Sequence, residues 1–443
     1  MKYNVSEDIK NSKKAGNPET IPNSNLLLNY RYSFGKDGAC SREEVSGMTI
    51  ENFTCRVCRT SLYRRVVHLP AMPLTDDFIR IGEDKSEYLA DIDVYHCPSC
   101  GLVQNPKDFD YSGYYEDYEY SSGHSKFVQN FMQAYAKVIV DQYSKTNDKP
   151  PASVIEIGSG DGEQLLSFKT MGVSQVLGIE PSASLVRASQ EKGIPAIKDL
   201  FGRHILEKLS EKFDICVSSY TLDHVWNPSE YLDTAYSILN IGGFLVFEVH
   251  DLERIIHRAE CCLFAHEHTL YLDAKVAEAL VVRHGFIVVA VNPLHDKVVR
   301  ANSLIVLAKK VEEKTFCVVR STLDFDNLQK KVNETIDSID EWLLGIPENQ
   351  RVIGYGAGGR GVMTLAALRR YQRFSALFDS NFESGKYLTP KTRIPVLGTD
   401  RLEEYRDAYC LVFSFGYFDE IKLVLIQKGF IPDRILSLSK FYH

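Results

Sequence analysis

Residues 151–168, "PASVIEIGSGDGEQLLSF", constrain the fold of this chain more than any other stretch. A short apolar run, Val154 to Ile157, breaks into three glycines and restarts as a helix. Gly158, Gly160 and Gly162, at every second position, let the backbone turn sharply and leave bare amides at a helix start. A dinucleotide motif places its third glycine one residue later. Glu156 at the strand end and Asp161 within the loop would repel a diphosphate, so this loop, with Ser159, suits a cationic ligand that carries no phosphate. The next strand, "VLGIEPS", ends on Glu180, twenty-two residues beyond Gly158, where a nucleotide-binding βαβ unit puts its ribose-binding acid. "IPAIKDLF" sets Asp199 at the end of a third strand, suited to an adenine amine. "FDICVSSYTLDHV", the helix "SEYLDTAYSILN", "GGFLVFEVHD", "GFIVVAVNPL" and "SLIVLAKK" continue the alternation. The pattern predicts an α/β fold with a doubly wound sheet over about residues 125–310.

With 443 residues, 44% of them hydrophobic, the chain has material for two to four domains. A net charge of −8 argues against a nucleic-acid partner, because a phosphate backbone calls for a basic face. No apolar run reaches membrane-spanning length, and the first twenty residues lack the apolar centre of a signal peptide. The expectation is a cytoplasmic protein whose ten cysteines stay reduced. Residues 1–50 read as a poorly ordered extension, with "NLLLNYRYSF" a short apolar patch that docks on the body.

"CRVC" at Cys55 and Cys58 and "CPSC" at Cys97 and Cys100 are two CxxC knuckles separated by 38 residues. Two knuckles complete a four-thiolate shell around zinc, with no position open to water; a redox CxxC is the rival reading. Cys40, Cys216, Cys261, Cys262, Cys317 and Cys410 show no ligand spacing and read as core thiols.

Further on, a helical stretch, "LQKKVNETIDSIDEWLLGI", leads to "RVIGYGAGGRGVMTLAAL". Gly354, Gly356 and Gly359 fit G-x-G-x-x-G, and "ALFDSN" places Asp379 at the end of another strand. Taken alone this predicts NAD binding, although Asp379 lies somewhat beyond the usual interval of about twenty residues. With Arg360 beside it, the loop also suits the diphosphate of a nucleotide-linked substrate.

Glu156 with its three glycines, Glu180 and the Gly-Gly before the fifth strand together resemble a class I S-adenosylmethionine-dependent methyltransferase. The resemblance implies that Glu156, Gly158, Ser159, Gly160, Gly162, Glu180 and Asp199 bind that cofactor. Over about residues 52–440 the chain resembles the sugar C-methyltransferases of deoxysugar pathways. Those join a four-cysteine zinc domain, a methyltransferase domain and a C-terminal Rossmann-like domain, here expected at 51–120, 121–312 and 313–443. The stretches that carry the likeness are "CRVC…CPSCGLVQ", "DYEYSSGHS", "VIEIGSGDG", "DHVWNP", "HEHTLY", "IGYGAGGRG" and "FDSNFESGKYLTP…IPVLG". Members methylate a carbon next to the ketone of a nucleoside-diphosphate 4-keto sugar.

That chemistry gives "AHEHTLY", residues 265–271, a role without a metal. A carbon beside a carbonyl becomes nucleophilic when a base takes its proton and the enolate oxygen is stabilised. By match to the family motif, His268 is the expected base and Glu267 its partner, with His224 meeting the enolate oxygen. Tyr120 or Tyr118 matches the substrate-site tyrosine, and Tyr271 is expected to line the pocket. Gly356, Arg360 and Asp379 are expected on the nucleotide side. As metal ligands, His266 and His268 on an extended segment would face one way and Glu267 the other, leaving a third ligand missing. A plain polar loop is the remaining reading. Two departures from the family stand out: Ala265 where a Tyr is frequent, and Ile305 where an Arg is frequent. Rival functions are a ketoreductase, or a methyltransferase-reductase, using NAD(P)H; an O- or N-methyltransferase; and a noncatalytic binding protein. The sequence leaves oligomeric state open.

Overall fold

The computed structural model describes residues 53–62, 64–108, 115, 127–295, 299–313, 321 and 323–443, and the backbone of Lys126 and of two strands in the first fifty residues. Those strands, β1 (Tyr30–Phe34) and β2 (Cys40–Glu44), pair antiparallel within a unit of their own, residues 1–52. They lie within the stretch whose composition predicts an extension, and the alternation of Tyr30, Tyr32 and Phe34 is the strand signal there.

The second unit, residues 53–443, begins with β3 (Arg64–Pro73), β4 (Ile79–Arg80), β5 (Leu89–His96) and β6 (Val103–Gln104). A 22-residue helix, α1 (Lys126–Asn147), leads to the alternating region. There β7 (Ser153–Ile157), α2 (Glu163–Thr170), β8 (Gln175–Glu180), α3 (Ala183–Glu191) and β9 (Ala196–Lys198) run outward in one direction. The chain then returns to the other side of β7 with β10 (Phe213–Ser219), α4 (Pro228–Ile238) and β11 (Leu239–His250). Asn227 caps α4 by accepting from the Glu230 amide at 3.1 Å, with Pro228 in the first turn, where its missing N–H costs nothing. After α5 (Leu252–Arg258), β12 (Leu270–Tyr271) and α6 (Ala274–Arg283) come β13 (Phe286–Val291) and β14 (Ser303–Lys310).

These strands form a seven-stranded sheet in the order β13-β14-β11-β10-β7-β8-β9. Only β14 runs antiparallel to its neighbours. Every residue of β7 is buried, as a parallel strand covered on both faces requires. The order reverses between β7 and β10, and the crevice beyond the carboxyl ends of those strands is where such a sheet receives a ligand.

The C-terminal part consists of α7 (Leu328–Gly345), β15 (Val352–Tyr355), α8 (Gly359–Ala367), β16 (Phe374–Phe378), β17 (Tyr387–Leu388), β18 (Pro395–Leu397), β19 (Tyr409–Val412), α9 (Phe418–Gln427) and β20 (Ile435–Ser437). Its sheet runs β20-β19-β15-β16-β18-β17-β4, so a strand from the cysteine-rich segment closes one edge. A four-stranded antiparallel sheet, β12-β6-β5-β3, borrows β12 from the middle of the chain in the same way.

Hydrophobic packing follows these exchanges. Val67 and Leu69 of β3 share one core with Val332, Ile336 and Ile339 of α7 and with Leu263, Phe264 and Met363. Cys216, Cys261, Cys262 and Cys410 are buried, as core thiols should be, while Cys317 and the Cys40 side chain lie outside the described residues. Among the described residues no helix is long and apolar enough to cross a membrane.

Candidate active site and zinc centre

The two cysteine knuckles close on each other. Cys55 Sγ lies 3.6 Å from Cys100 Sγ and Cys58 Sγ 3.4 Å from Cys97 Sγ, and all four sulfurs lie within 4.8 Å of one another. Thiolates about 2.3 Å from one tetrahedral ion sit roughly 3.8 Å apart, so the donors stand close to the spacing zinc requires. Each knuckle turns the same way: the Arg59 amide donates to Cys55 O at 3.0 Å and the Gly101 amide to Cys97 O at 2.9 Å, both residues left-handed at φ 61° and 77°. Gln104 Nε2 donates to Cys55 Sγ at 3.2 Å. These residues fit a structural zinc, four sulfurs leaving no coordination position for a water.

The glycine loop opens the crevice. Gly160 is left-handed at φ 53°, and a Cβ there would meet nothing within 4 Å among the described residues, so the backbone is bare toward open space. Gly158 needs its missing side chain for another reason: a Cβ would lie 2.5 Å from Thr221 Oγ1. Glu180 anchors the loop, one oxygen accepting from the Gly160 amide and the other from the Ser182 amide, each at 2.9 Å. Glu156 is 4% exposed, and its Oε2 has no partner among the described residues. Burial pushes its carboxyl well up, against the pull of Arg300. A bound ammonium would satisfy Oε2 and hold Glu156 ionised, so these residues fit a cationic cofactor. Asp199 lines the same space, its carboxylate held by His204 Nε2 at 3.1 Å and Lys208 Nζ at 2.5 Å.

Beyond the loop lies a cavity of about 770 Å³ that reaches from Gly158 and Glu180, past three histidines, to Gly356, Gly358 and Arg360. His268 Nδ1 donates to the Leu263 carbonyl at 2.7 Å, which leaves Nε2 as the unprotonated nitrogen of the neutral ring. Its ring centroid is 4.9 Å from His224 and 4.7 Å from His250. His250 Nδ1 donates to Asp223 Oδ2 at 2.8 Å. Burial pushes His250 down to about 4 despite that carboxylate, and lowers His224 as well. Burial alone would raise Asp223, yet the His250 bond and the surrounding imidazoles hold it well below the carboxylate range. His224 Nδ1 meets Tyr115 OH at 3.0 Å.

Three family models match in order along the chain. One, described as "Putative zinc binding domain", covers residues 55–115; one, "Methyltransferase domain", 128–291; one, "C-methyltransferase C-terminal domain", 287–427. The chain belongs to the C-methyltransferase family. It is an S-adenosylmethionine-dependent enzyme, and its central sheet is the class I methyltransferase fold. Similar solved structures include the plantazolicin methyltransferase BamL with S-adenosylhomocysteine, at 15% identity and TM-score 0.35, covering 41% of this chain and 86% of that one. Magnesium protoporphyrin IX methyltransferase from Synechocystis PCC 6803 with bound S-adenosylmethionine is 16% identical, TM-score 0.31, with 43% and 87% covered. An S-adenosylmethionine-dependent methyltransferase from Mesorhizobium loti is 18% identical, TM-score 0.30, with 36% and 90% covered. No curated protein matches.

In this methyltransferase several expected residues stand differently from the sequence reading. The chain bends at His266 and Glu267 instead of running extended, so Glu267 and His268 both line the cavity while His266 Nε2 turns away to the Met72 carbonyl at 3.0 Å. Glu267 Oε1 accepts from Thr75 Oγ1 at 2.5 Å, and the bond that orients His268 comes from Leu263. Tyr271 does not line the cavity; it is buried edge-on behind His268, ring centroids 6.2 Å apart, because β12 is pinned to β6. Asp379 faces away too, its two oxygens accepting from the Ala357 and Asn381 amides at 2.8 and 3.0 Å. A ribose-binding acid of the dinucleotide kind is therefore not presented to the cavity by Asp379. Arg360 lines the cavity and reaches Glu260 at 3.8 Å, whose carboxylate keeps the guanidinium charged against burial. Tyr118 and Tyr120 lie outside the described residues.

Ile305 is fully buried beside Phe131 and Leu307 in the sheet's core, while Arg300 brings a guanidinium to the cavity, 4.5 Å above the Phe131 ring. Ala265 lines the cavity and leaves room there. Sequence reasoning missed Asp223, His250, Arg300 and Asn302. The positions of His250 and Asp223 at the carboxyl ends of β11 and β10 were the available signal.

Proposed function

We propose that this methyltransferase alkylates a carbon next to the ketone of a nucleoside-diphosphate keto sugar, after that carbon has lost a proton. The observation that carries the reading is His268: a buried imidazole whose Nδ1 is committed to a carbonyl, lining one cavity with both glycine loops. Its Nε2 takes the proton from the carbon. With Tyr115 OH donating to Nδ1, His224 carries its own proton on Nε2 and offers it to the enolate oxygen. Ionised Asp223, buried beside the three rings, offsets the imidazolium that forms on His268. S-adenosylmethionine, when bound at the glycine loop, supplies the methyl group. Gly158, Gly160 and Glu180 would hold it, with Glu156 facing its ammonium and Asp199 at the adenine end. Gly356 and Gly358, with the uncapped start of α8, offer backbone amides and a positive helix end to the diphosphate.

The test is to incubate the protein with methyl-labelled S-adenosylmethionine and nucleoside-diphosphate 4-keto-6-deoxyhexoses and to locate the label by NMR. Label on a carbon adjacent to the ketone is the expected result. Label on oxygen or nitrogen would move the enzyme to a different acceptor atom, and no transfer to any keto sugar would end the keto-sugar reading.

A further inference from the structure

Asn302 is 1% exposed and lines the cavity, yet neither its amide oxygen nor its amide nitrogen has a hydrogen-bond partner among the described residues. A buried amide with both ends unmet is costly, so it marks a place where a bound molecule completes the bonding. Its position says which part of the molecule. Ser303, the next residue, pairs with His250 across β14 and β11, so Asn302 stands beside the histidine cluster. Ala301, the residue before, lies 3.3 Å from where a Cβ on Gly416 would sit, and Gly416 lines the same cavity beside the second glycine loop. The Ala301 carbonyl accepts from Arg258 at 3.0 Å and the Asn302 carbonyl from the Asp251 amide at 3.1 Å, so the segment is fixed on both sides.

We propose that Asn302 reads a vicinal pair of hydroxyls on the acceptor, one donating to its amide oxygen and the other accepting from its amide nitrogen. The proposal rests on the keto-sugar reading. In such a sugar the two carbons between the diphosphate-bearing carbon and the ketone are the ones that would lie opposite Asn302. The acceptor is therefore a keto sugar that still carries its 2- and 3-hydroxyls, not a 2-deoxy sugar.

The experiment measures binding to the S-adenosylhomocysteine-loaded full chain by calorimetry. The probes are a nucleoside-diphosphate 4-keto-6-deoxyglucose, its 2-deoxy counterpart and the free nucleoside diphosphate; the proteins are wild type, Asn302→Leu and Asn302→Ala. Wild type is expected to bind the 2-hydroxyl sugar about 10- to 100-fold tighter than the 2-deoxy sugar. Both variants should bind the two sugars within about twofold, at unchanged affinity for S-adenosylhomocysteine. A preference that survives in both variants, or is missing in wild type, overturns the assignment to Asn302. Wild type binding neither sugar more tightly than the free nucleoside diphosphate overturns the keto-sugar reading, and this inference with it. Because Asn302→Ala only removes atoms, a folding defect confined to Asn302→Leu leaves the comparison intact.

Discussion

His268 has one nitrogen committed to Leu263 and one left for chemistry, a division set by the turn at residues 261–263. Replacing it with alanine should abolish methyl transfer while S-adenosylhomocysteine affinity stays within about twofold, since the glycine loop is untouched. Turnover that survives His268→Ala would remove it as the base. Its neighbour His250 makes a separate prediction about stability. Held at about 4 against an ordinary value of 6.5, His250 stays neutral in the fold while the unfolded chain takes up a proton between those values. Its contribution is whole above pH 6.5 and is lost as pH falls toward 4, on the order of 2–3 kcal/mol. Because burial raises the Glu156 and Glu180 carboxyls and so pulls the other way, the measurement is a comparison: the melting temperature should drop more steeply over that interval in wild type than in His250→Gln, and equal slopes would mean His250 is charged in the folded state. His268 was legible in "HEHTLY" because three polar residues stand in an apolar stretch. Asp223 and His250 were not, since 27 residues separate them and only the ends of neighbouring strands bring the carboxylate to the ring.

At the level of elements, the β7 to α2 turn was readable because its glycines are required by backbone angle as well as by space. Gly160→Ala should cost roughly 1–2 kcal/mol for the left-handed conformation and place a methyl on the open side of the loop, the proposed cofactor side. Calorimetry should show at least a tenfold loss of S-adenosylhomocysteine affinity, and undiminished binding would put the cofactor elsewhere. The second glycine loop misled in a specific way. Gly354 and Gly356 are needed for close packing, a Cβ at each meeting Phe413 or Ser414 at 2.5 and 2.4 Å, but Asp379 turned out to brace the loop. A motif of glycines reports the turn; whether the acid that braces it also lines the cavity, as Glu180 does and Asp379 does not, decides what the turn can hold. Two-residue strands such as β4 and β12 were beyond reach, because so short a run has no period and owes its conformation to a partner far along the chain.

Across the whole molecule, the sequence divides into three segments more cleanly than the packing does. Residues 313–443 made alone would lack β4 at the sheet edge and would uncover Val332, Ile336 and Ile339, which pack against β3. That fragment should aggregate or stay unfolded, whereas the same residues within the chain from Phe53 onward should melt in step with the central sheet. A soluble, cooperatively folded fragment would show that the shared core is dispensable. The segments were visible because each carries its own local pattern. Their interlocking was not, since it depends on apolar faces that any partner of suitable shape could cover.

The cysteine cluster bears on catalysis through distance along the chain. β6 begins three residues after Cys100, and β12, its hydrogen-bonded partner, begins two residues after His268. A single short ladder thus ties the cysteine cluster to the segment that carries His268, the proposed base, while the first glycine loop hangs from a different sheet. A chelator should consequently behave as a slow inhibitor: methyl transfer decays over time while S-adenosylhomocysteine still binds, and restoring zinc restores the rate. Loss of both together would mean that the ion guards the fold as a whole and not this one loop.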